Sequence, residues 1–267
     1  MRTPISKVLK DPARYLPIAR KMIQQPLCAP FQDAPFYLQG QMDIHPKSRW
    51  HIQDFTDSNG GFFPSGTNSG ERQIFNLEPW DNTRRDMLIL FLRTIVTGEI
   101  PGDFAEIGVY QGSTARLIHH YVPERELHLF DTFEGFTDRS VVAEKGNTDY
   151  TIVGSHFSDT SLEKVRAAIG STNDNVKFHQ GYFPDSIPAG FDDRRFAFVH
   201  LDADLYEPTF AGLTYFYERM SPNALFVVHD YNAWPGARKA VDDFFADKPE
   251  MPLPMPDKSG SAVITKR

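Results

Sequence analysis

The stretch that decides the fold is Phe196-Ala-Phe-Val-His-Leu-Asp-Ala-Asp-Leu-Tyr206. Its first six residues form an apolar run, rich in aromatic and β-branched side chains, that predicts a strand buried on both faces of a parallel sheet. The run ends in two carboxylates, Asp202 and Asp204. Ligands of open α/β sheets bind outside the carboxyl ends of the strands. We therefore expect the chemistry of this protein at that edge.

A second apolar run, Ala224–Val228, ends in a similar way, with His229 and Asp230. If the two runs are neighbouring strands, their polar ends meet at one edge of the sheet. Three carboxylates and an imidazole in one place make a plausible site for a divalent cation. The residues of this predicted site are Asp202, Asp204, His229 and Asp230.

A glycine-containing turn lies upstream of these strands. A short strand ends at Glu106, the turn holds Gly108 and Gly112, and a helix begins at Ser113. The dinucleotide-binding fingerprint has a further glycine that is absent here, so the turn is half of a nucleotide-binding motif. The N-terminus of the helix can hold an anionic group such as a carboxylate. Asp131, at the end of the next strand, is placed to bind both hydroxyls of a ribose.

Strand and helix patterns alternate from about residue 100 onward, which is typical of a doubly wound, Rossmann-like α/β sheet. We predict a helix that Asp81 caps and that runs to about Thr97, and another helix from about Pro208 to Met220. A polar insertion over residues 137–160 has the composition of a mobile flap. Four prolines between Pro249 and Pro256 are expected to break regular structure.

The first part of the chain has a different character from the rest. Residues 1–79 combine a helical pattern with Gly/Pro-rich loops that carry aromatic side chains. Such loops form lids and pocket walls more often than cores. We therefore divide the chain into an N-terminal helical and loop extension, 1–79, with lid, acceptor-pocket and oligomer contacts, and a catalytic domain, 80–267.

The charge, the apolar stretches and the cysteine content of the chain disfavour several classes of protein. The 267 residues carry a formal net charge of −7, which disfavours binding to nucleic acid. No apolar stretch is long enough to span a bilayer. With one cysteine, Cys28, no intrachain disulfide can form, and a reducing cytoplasmic location is expected.

The chain resembles the macrocin O-methyltransferase family, the metal-dependent sugar O-methyltransferases of macrolide and aminocoumarin biosynthesis. The resemblance covers about residues 80–247. It rests on five motifs that keep their order: Gly102-Asp-Phe-Ala-Glu-Ile-Gly-Val-Tyr-Gln-Gly-Ser113, Asp131-Thr-Phe-Glu-Gly135, Gly181-Tyr-Phe-Pro-Asp-Ser-Ile-Pro188, His200-Leu-Asp-Ala-Asp-Leu-Tyr206 and His229-Asp-Tyr231.

The resemblance implies a seven-stranded class I fold that uses S-adenosylmethionine, and a homodimer or higher homo-oligomer. It implies that Asp202 binds Mg²⁺, with Asp204 as general base. It also implies that Glu106 contacts the methionine part of the cofactor and Asp131 its ribose. The predicted cofactor-binding residues are Glu106, Gly108, Tyr110, Ser113, Asp131, Gln180 and Tyr182.

One departure from the family concerns the metal. The family has two acids where this chain has His229 and Asp230. Imidazole suits softer ions than Mg²⁺, so His229 is predicted either as a ligand, together with Asp202 and Asp230, or as a catalytic base. The N-terminal segment is the second departure, and for that reason the acceptor is predicted only as a small hydroxylated molecule.

Three alternatives stay open at this point. A catechol would be chelated by the same metal as a sugar. A non-catalytic binding protein, with the cofactor fold and a decayed metal site, is raised by His229. An NAD-dependent oxidoreductase is disfavoured by the missing glycine.

Overall fold

The structure is a computed structural model that describes residues 81–147, 152–170 and 175–267. Its helices are α1 (Asn82–Thr97), α2 (Ser113–Tyr121), α3 (Asp138–Ala143), α4 (Leu162–Ile169), α5 (Tyr206–Tyr217) and α6 (Pro235–Phe245). Its strands are β1 (Asp103–Ile107), β2 (Leu127–Asp131), β3 (Val176–Gln180), β4 (Phe196–Leu201), β5 (Met220–Val228), β6 (Leu253–Pro254) and β7 (Ala262–Thr265). The predicted extension, 1–79, and its lid, pocket and oligomer contacts lie outside the described residues.

One seven-stranded sheet has the order β3-β2-β1-β4-β5-β7-β6. Strands β1 to β5 pair in parallel, whereas β7 is antiparallel to β5 and to β6. The chain runs outward from β1 to β3 and then returns to the other side of β1 with β4. This reversal makes β1 and β4 the topological switch point, where a crevice opens at the carboxyl edge. The predicted doubly wound α/β fold is confirmed.

Strand register explains why the polar ends meet. Ile107 of β1 is level with Leu201 of β4, and Leu201 is level with Val228 of β5. The next residues continue the ladder: Asp202 N donates to Ile107 O at 2.8 Å, and His229 N donates to Leu201 O at 2.8 Å. Asp202 and His229 therefore leave the sheet side by side.

Helix α1 closes one face of the sheet. Asp81 caps it, because its Oδ1 accepts a hydrogen bond from Arg84 N at 2.9 Å. The helix packs against β4 and β5 and buries the apolar side chains Leu88, Leu92 and Ile95. The predicted span of this helix is confirmed.

The bounds of three other elements differ from prediction. Helix α5 begins at Tyr206 rather than Pro208, because the buried Glu144 accepts a hydrogen bond from Tyr206 N at 2.8 Å and caps the helix from a distant segment. Strand β5 begins at Met220 rather than at Ala224, where the predicted apolar run starts. The expectation that the prolines from 249 to 256 exclude regular structure is wrong at Leu253–Pro254, a short edge strand where proline is tolerated.

The polar insertion over residues 137–160 contains helix α3. Thr137 and Ser140 form a capping box at its start. None of the helices in the described part of the chain combines the length and apolarity that crossing a bilayer requires. Homo-oligomer formation and cytoplasmic location stay predictions.

Candidate active site

A cavity of about 320 Å³ opens at the carboxyl edge of the sheet, over the switch point between β1 and β4. Nine of the predicted site residues line it: Gly108, Tyr110, Ser113, Asp131, Tyr182, Asp202, Asp204, His229 and Asp230. The structure thus brings the glycine turn, the ends of β2 and β3 and the two acidic strand ends to one cavity.

Gly108 is required by the close approach of two segments. Its φ is +82°, and a Cβ atom placed there would lie 2.0 Å from Asp202 O. Asp131 holds the same turn from the other side, because its Oδ2 accepts hydrogen bonds from Val109 N at 2.6 Å and Tyr110 N at 3.0 Å. The turn after β1 is therefore fixed between the ends of β2 and β4.

Aromatic side chains form one wall of the cavity. The ring of Tyr110 meets that of Phe157 edge to face at 5.2 Å, and its hydroxyl donates to Asp159 Oδ1 at 2.8 Å. Tyr182 donates to Glu207 Oε2 at 2.9 Å, and its ring lies 4.0 Å from the Arg139 guanidinium carbon. Both tyrosines are thereby held against the cavity.

The acids and the imidazole at the base of the cavity form one connected group. His229 Nδ1 lies 2.8 Å from Asp202 Oδ1 and 3.2 Å from Asp230 Oδ2. Arg84 Nη2 donates to Asp202 Oδ2 at 2.6 Å. Asp204 and Asp230 adopt left-handed backbone conformations, with φ of 60° and 58°, in the turns that follow the two strands. We call these five residues the acid–imidazole cluster.

Charges within the acid–imidazole cluster compensate one another. Burial alone would lower the pKa of His229, but Asp202 and Asp230 raise it to about 10. Burial would raise the pKa of Asp202, but the positive charges of His229 and Arg84 lower it. Burial raises the pKa of Asp204 well above its usual value, and the neighbouring Asp202 and Asp230 raise it further. Two cations, His229 and Arg84, thus face the carboxylates of Asp202 and Asp230.

The donor set fits a divalent cation. Asp202, His229 and Asp230 each offer a ligand atom, and these atoms lie within 4.8 Å of one another. His229 Nε2 is buried and has no hydrogen-bond partner among the described residues. Two carboxylates and one imidazole suit Mn²⁺, Fe²⁺ or Zn²⁺ at least as well as Mg²⁺. A metal would take the place of the proton that His229 Nδ1 holds between the two acids.

Two predicted cofactor-binding residues do not line the cavity. Glu106 is 1% exposed and lies level with His200 on the neighbouring strand, where the atoms Glu106 Oε1 and His200 Nδ1 are 2.8 Å apart. Burial, with Asp202 nearby, raises the pKa of Glu106 well above its usual value. Gln180 is exposed, and its Nε2 donates to Thr132 O at 3.4 Å.

A second group of acids and a histidine lies at the opposite edge of the sheet. Arg194 Nη1 is 2.7 Å from Asp103 Oδ2, 2.6 Å from Glu126 Oε2 and 3.1 Å from His128 Nε2. A guanidinium nitrogen therefore fills the centre of this group, and the carboxyl-edge cavity is the better candidate site.

Sequence reasoning missed Arg84, which is 5% exposed and lines the cavity. A signal was present: Arg84 precedes Leu88 by one helical turn and Leu92 by two, so it lies on the apolar stripe of α1. A charged residue on such a stripe is rarely buried without a partner.

Comparison with known proteins supports the fold and the cavity described above. The model of the macrocin-O-methyltransferase (TylF) family matches residues 81–265. The 8-demethyl-8-(2,3-dimethoxy-alpha-L-rhamnosyl)-tetracenomycin-C 4′-O-methyltransferase of Streptomyces olivaceus is 33% identical over 172 residues, 60% of this chain and 64% of the relative. The demethyldecarbamoylnovobiocin O-methyltransferase of Streptomyces niveus is 30% identical over 164 residues, 57% of this chain and 61% of the relative. Each alignment spans less than two thirds of the relative's own length.

Solved structures support the same fold. The O-methyltransferase NovP aligns with a TM-score of 0.62 and 26% identity over 71% of this chain and 81% of its own. The calicheamicin methyltransferase CalS11 aligns with a TM-score of 0.57 and 20% identity, over 84% of this chain and 94% of its own, a likeness of fold alone. The predicted class I methyltransferase sheet is confirmed. The family model matches the strands, the glycine turn and both acidic strand ends. This chain therefore belongs to the macrocin-O-methyltransferase family.

Proposed function

We propose that this protein transfers the methyl group of S-adenosylmethionine to a hydroxyl of a small molecule, with a sugar as the acceptor class. The observation that carries the proposal is the acid–imidazole cluster, which lies in the same cavity as the glycine turn and Asp131. Methyl transfer to oxygen needs a donor site and a group that takes up the hydroxyl proton within reach of each other. This cavity offers both.

The cofactor would lie along the glycine turn. Asp131 is offered as the partner of the ribose hydroxyls, because both of its carboxylate oxygens are fixed at the cavity wall by backbone N–H groups. Gly108 keeps this turn in place, because it lets the end of β1 approach the backbone of Asp202 more closely than any side chain would permit. Tyr110 and Tyr182 would enclose the adenosyl group.

Asp202, His229 and Asp230 are the residues that would hold a divalent cation. Such an ion, when bound, lowers the pKa of a hydroxyl and orients a vicinal diol. The chain's own contribution is to keep the three donors together at the ends of β4 and β5, with Arg84 holding the second oxygen of Asp202.

Asp204 is the better candidate for the general base. Nδ1 of His229 has no free lone pair, whether it carries the proton shared with Asp202 and Asp230 or serves as a metal ligand. Asp204 lines the cavity, and burial raises the pKa of its carboxyl group. A raised pKa brings a carboxylate closer to neutrality, where a general base works best.

The names of the two relatives support a sugar or a related natural-product hydroxyl as acceptor, because one of them is a 4′-O-methyltransferase of a rhamnosyl group. A catechol would meet the same cluster. The two acceptor classes differ in the geometry of the vicinal hydroxyls, and a direct assay separates them.

The test uses the full chain, labelled S-adenosylmethionine and three acceptor panels: glycosides, sugar nucleotides and catechols. Each reaction is run with a chelator and then with added Mg²⁺, Mn²⁺ or Zn²⁺. Methylation of a glycoside or sugar nucleotide by wild type, lost in Asp204→Asn, supports the proposal. Binding of S-adenosylhomocysteine without transfer to any acceptor would instead support the non-catalytic alternative.

A further inference from the structure

Glu144 is a buried carboxylate that lies behind the wall of the cavity. It directly follows helix α3, is 2% exposed, and its Oε2 accepts a hydrogen bond from Tyr206 N at 2.8 Å. Among the described residues, Ser140 lines the cavity, whereas Glu144, one helical turn further along, does not. Glu144 therefore links the insertion that contains α3 to the start of α5.

The place that Glu144 occupies is shaped around its carboxylate. Gly236 lies in the first turn of α6, where a Cβ atom would come within 1.9 Å of Glu144 Oε1 and 2.8 Å of Tyr206 N. A side chain at this position would push the carboxylate away. The starts of α5 and α6 thus both lie against Glu144, and the positive ends of the two helix dipoles favour a negative group there.

The segment that Glu144 holds carries Asp204. The φ of Asp204 is 60°, a left-handed conformation that is uncommon for residues other than glycine. A backbone in such a conformation persists only where its surroundings hold it. On one side of this turn, Asp204 O accepts a hydrogen bond from Ala237 N of α6 at 3.1 Å. On the other side, Glu144 holds Tyr206 N.

The cap of α5 comes from a remote segment. Helices are usually capped by the side chain of the residue at the N-cap position. In α5 this residue is Leu205, whose apolar side chain cannot accept a hydrogen bond. Glu144, 62 residues away from Tyr206 in the chain, supplies the acceptor instead. The position of the turn that carries Asp204 therefore depends on the insertion that contains α3.

We propose that Glu144 is a positioning residue for methyl transfer, because it holds the turn that carries Asp204 at the cavity. The inference rests on the proposed function, in which Asp204 takes up the proton of the acceptor hydroxyl. Glu144 exchanges no proton with the acceptor, and its contribution is the placement of the Asp204 carboxylate. A displacement of about 1 Å at a reacting group can lower a rate by about 10²-fold.

The test is a double-mutant cycle on the full chain, with the glycoside or sugar nucleotide that wild type methylates and saturating S-adenosylmethionine. Glu144→Ala should lower kcat by about 10- to 100-fold. Its binding of S-adenosylhomocysteine, measured by calorimetry, should match that of wild type. In the Asp204→Asn background, Glu144→Ala should cause little further loss, because the base that Glu144 positions is no longer there.

Two control variants separate positioning from stability. Glu144→Gln keeps an oxygen that can accept the hydrogen bond from Tyr206 N, so it should retain most of kcat. Lys145→Ala changes the next residue, whose side chain is exposed, and should have the wild-type kcat. Rates are expressed per molecule that binds S-adenosylhomocysteine, so a partly unfolded variant does not imitate a slow one. Glu144→Asp, one methylene too short to reach Tyr206 N, replaces Glu144→Ala in the cycle if Glu144→Ala does not bind this ligand.

A wild-type kcat in Glu144→Ala would overturn the inference. An equal fold loss in the wild-type and Asp204→Asn backgrounds would also overturn it, because Glu144 would then act on the fold in general rather than through Asp204. A wild type that methylates no acceptor would overturn the proposed function itself. Since the first two results require an active wild type, the failures are distinguishable.

Discussion

The charge on His229 can be removed without removing its hydrogen bond. In His229→Asn the amide nitrogen takes roughly the place of Nδ1, 2.8 Å from Asp202 Oδ1, but carries no positive charge. Two buried carboxylates, Asp202 and Asp230, then face each other across a neutral group. Breaking a buried ion pair by removing one partner typically costs about 3–5 kcal/mol.

The raised pKa of His229 leads to a similar free-energy cost for His229→Asn. A pKa raised from 6.5 to about 10 means that the native state holds the proton more tightly than the unfolded state does. The resulting stabilisation is complete below pH 6.5, falls as the pH rises and is lost above about pH 10. At about 1.4 kcal/mol per pH unit, it amounts to about 4 kcal/mol at pH 7 and about 1 kcal/mol at pH 9.5.

The assay is urea unfolding of wild type and His229→Asn in a chelator, at pH 7 and at pH 9.5. The free energy of unfolding of wild type should exceed that of the variant by about 4 kcal/mol at pH 7. The gap should shrink to about 1 kcal/mol at pH 9.5, because the stabilisation from the tightly held proton is almost gone when the pH approaches the native-state pKa of about 10. Other groups that titrate over this range are common to both proteins. A gap that is the same at both values of pH would refute the reasoning.

Three further predictions concern the cavity. Asp204→Asn should lower the rate of methyl transfer by about 10²- to 10⁴-fold, because that is the usual contribution of a general base. Calorimetry should show that the variant binds S-adenosylhomocysteine as wild type does. An unchanged rate would exclude Asp204 as the base. Gly108→Ala should abolish cofactor binding, because its Cβ would lie 2.0 Å from Asp202 O and would displace the turn. Gly170→Ala, at a φ of +66° and with no atom of the described residues within 4 Å of the added Cβ, should lower the free energy of unfolding by only about 1–2 kcal/mol. His229→Asp should keep activity and shift the preference among added ions toward Mg²⁺, because a third carboxylate replaces the imidazole. If the metal preference does not change, His229 is not a metal ligand.

Much of the fold follows from local pattern. The alternation of apolar runs and helical stripes requires no knowledge of distant contacts, so helix α1, strands β1 to β5 and helix α6 can be located from the residues themselves. Boundaries are less predictable where the capping group is remote. Glu144 sets the start of α5 at Tyr206 from far along the chain, and no local signal near Tyr206 indicates this.

The main part of the candidate site was also predictable, for a geometric reason. Carboxyl ends of parallel strands meet at one edge, so polar residues that follow two neighbouring strands must lie together. By this rule the sequence alone predicts that Asp202, Asp204, His229 and Asp230 lie in one cluster. Their protonation was not predictable, because it depends on burial and on distances of about 3 Å that a sequence does not contain.

The amino-acid sequence by itself determined the order of the helices and strands and the polar residues that follow β4 and β5. Only the tertiary structure decided that Glu106 turns into the core toward His200, whereas Arg84 enters the cavity to meet Asp202. Both outcomes depend on pairing between segments far apart in the chain, where the cost of burying a charge is offset by a partner that local sequence does not reveal.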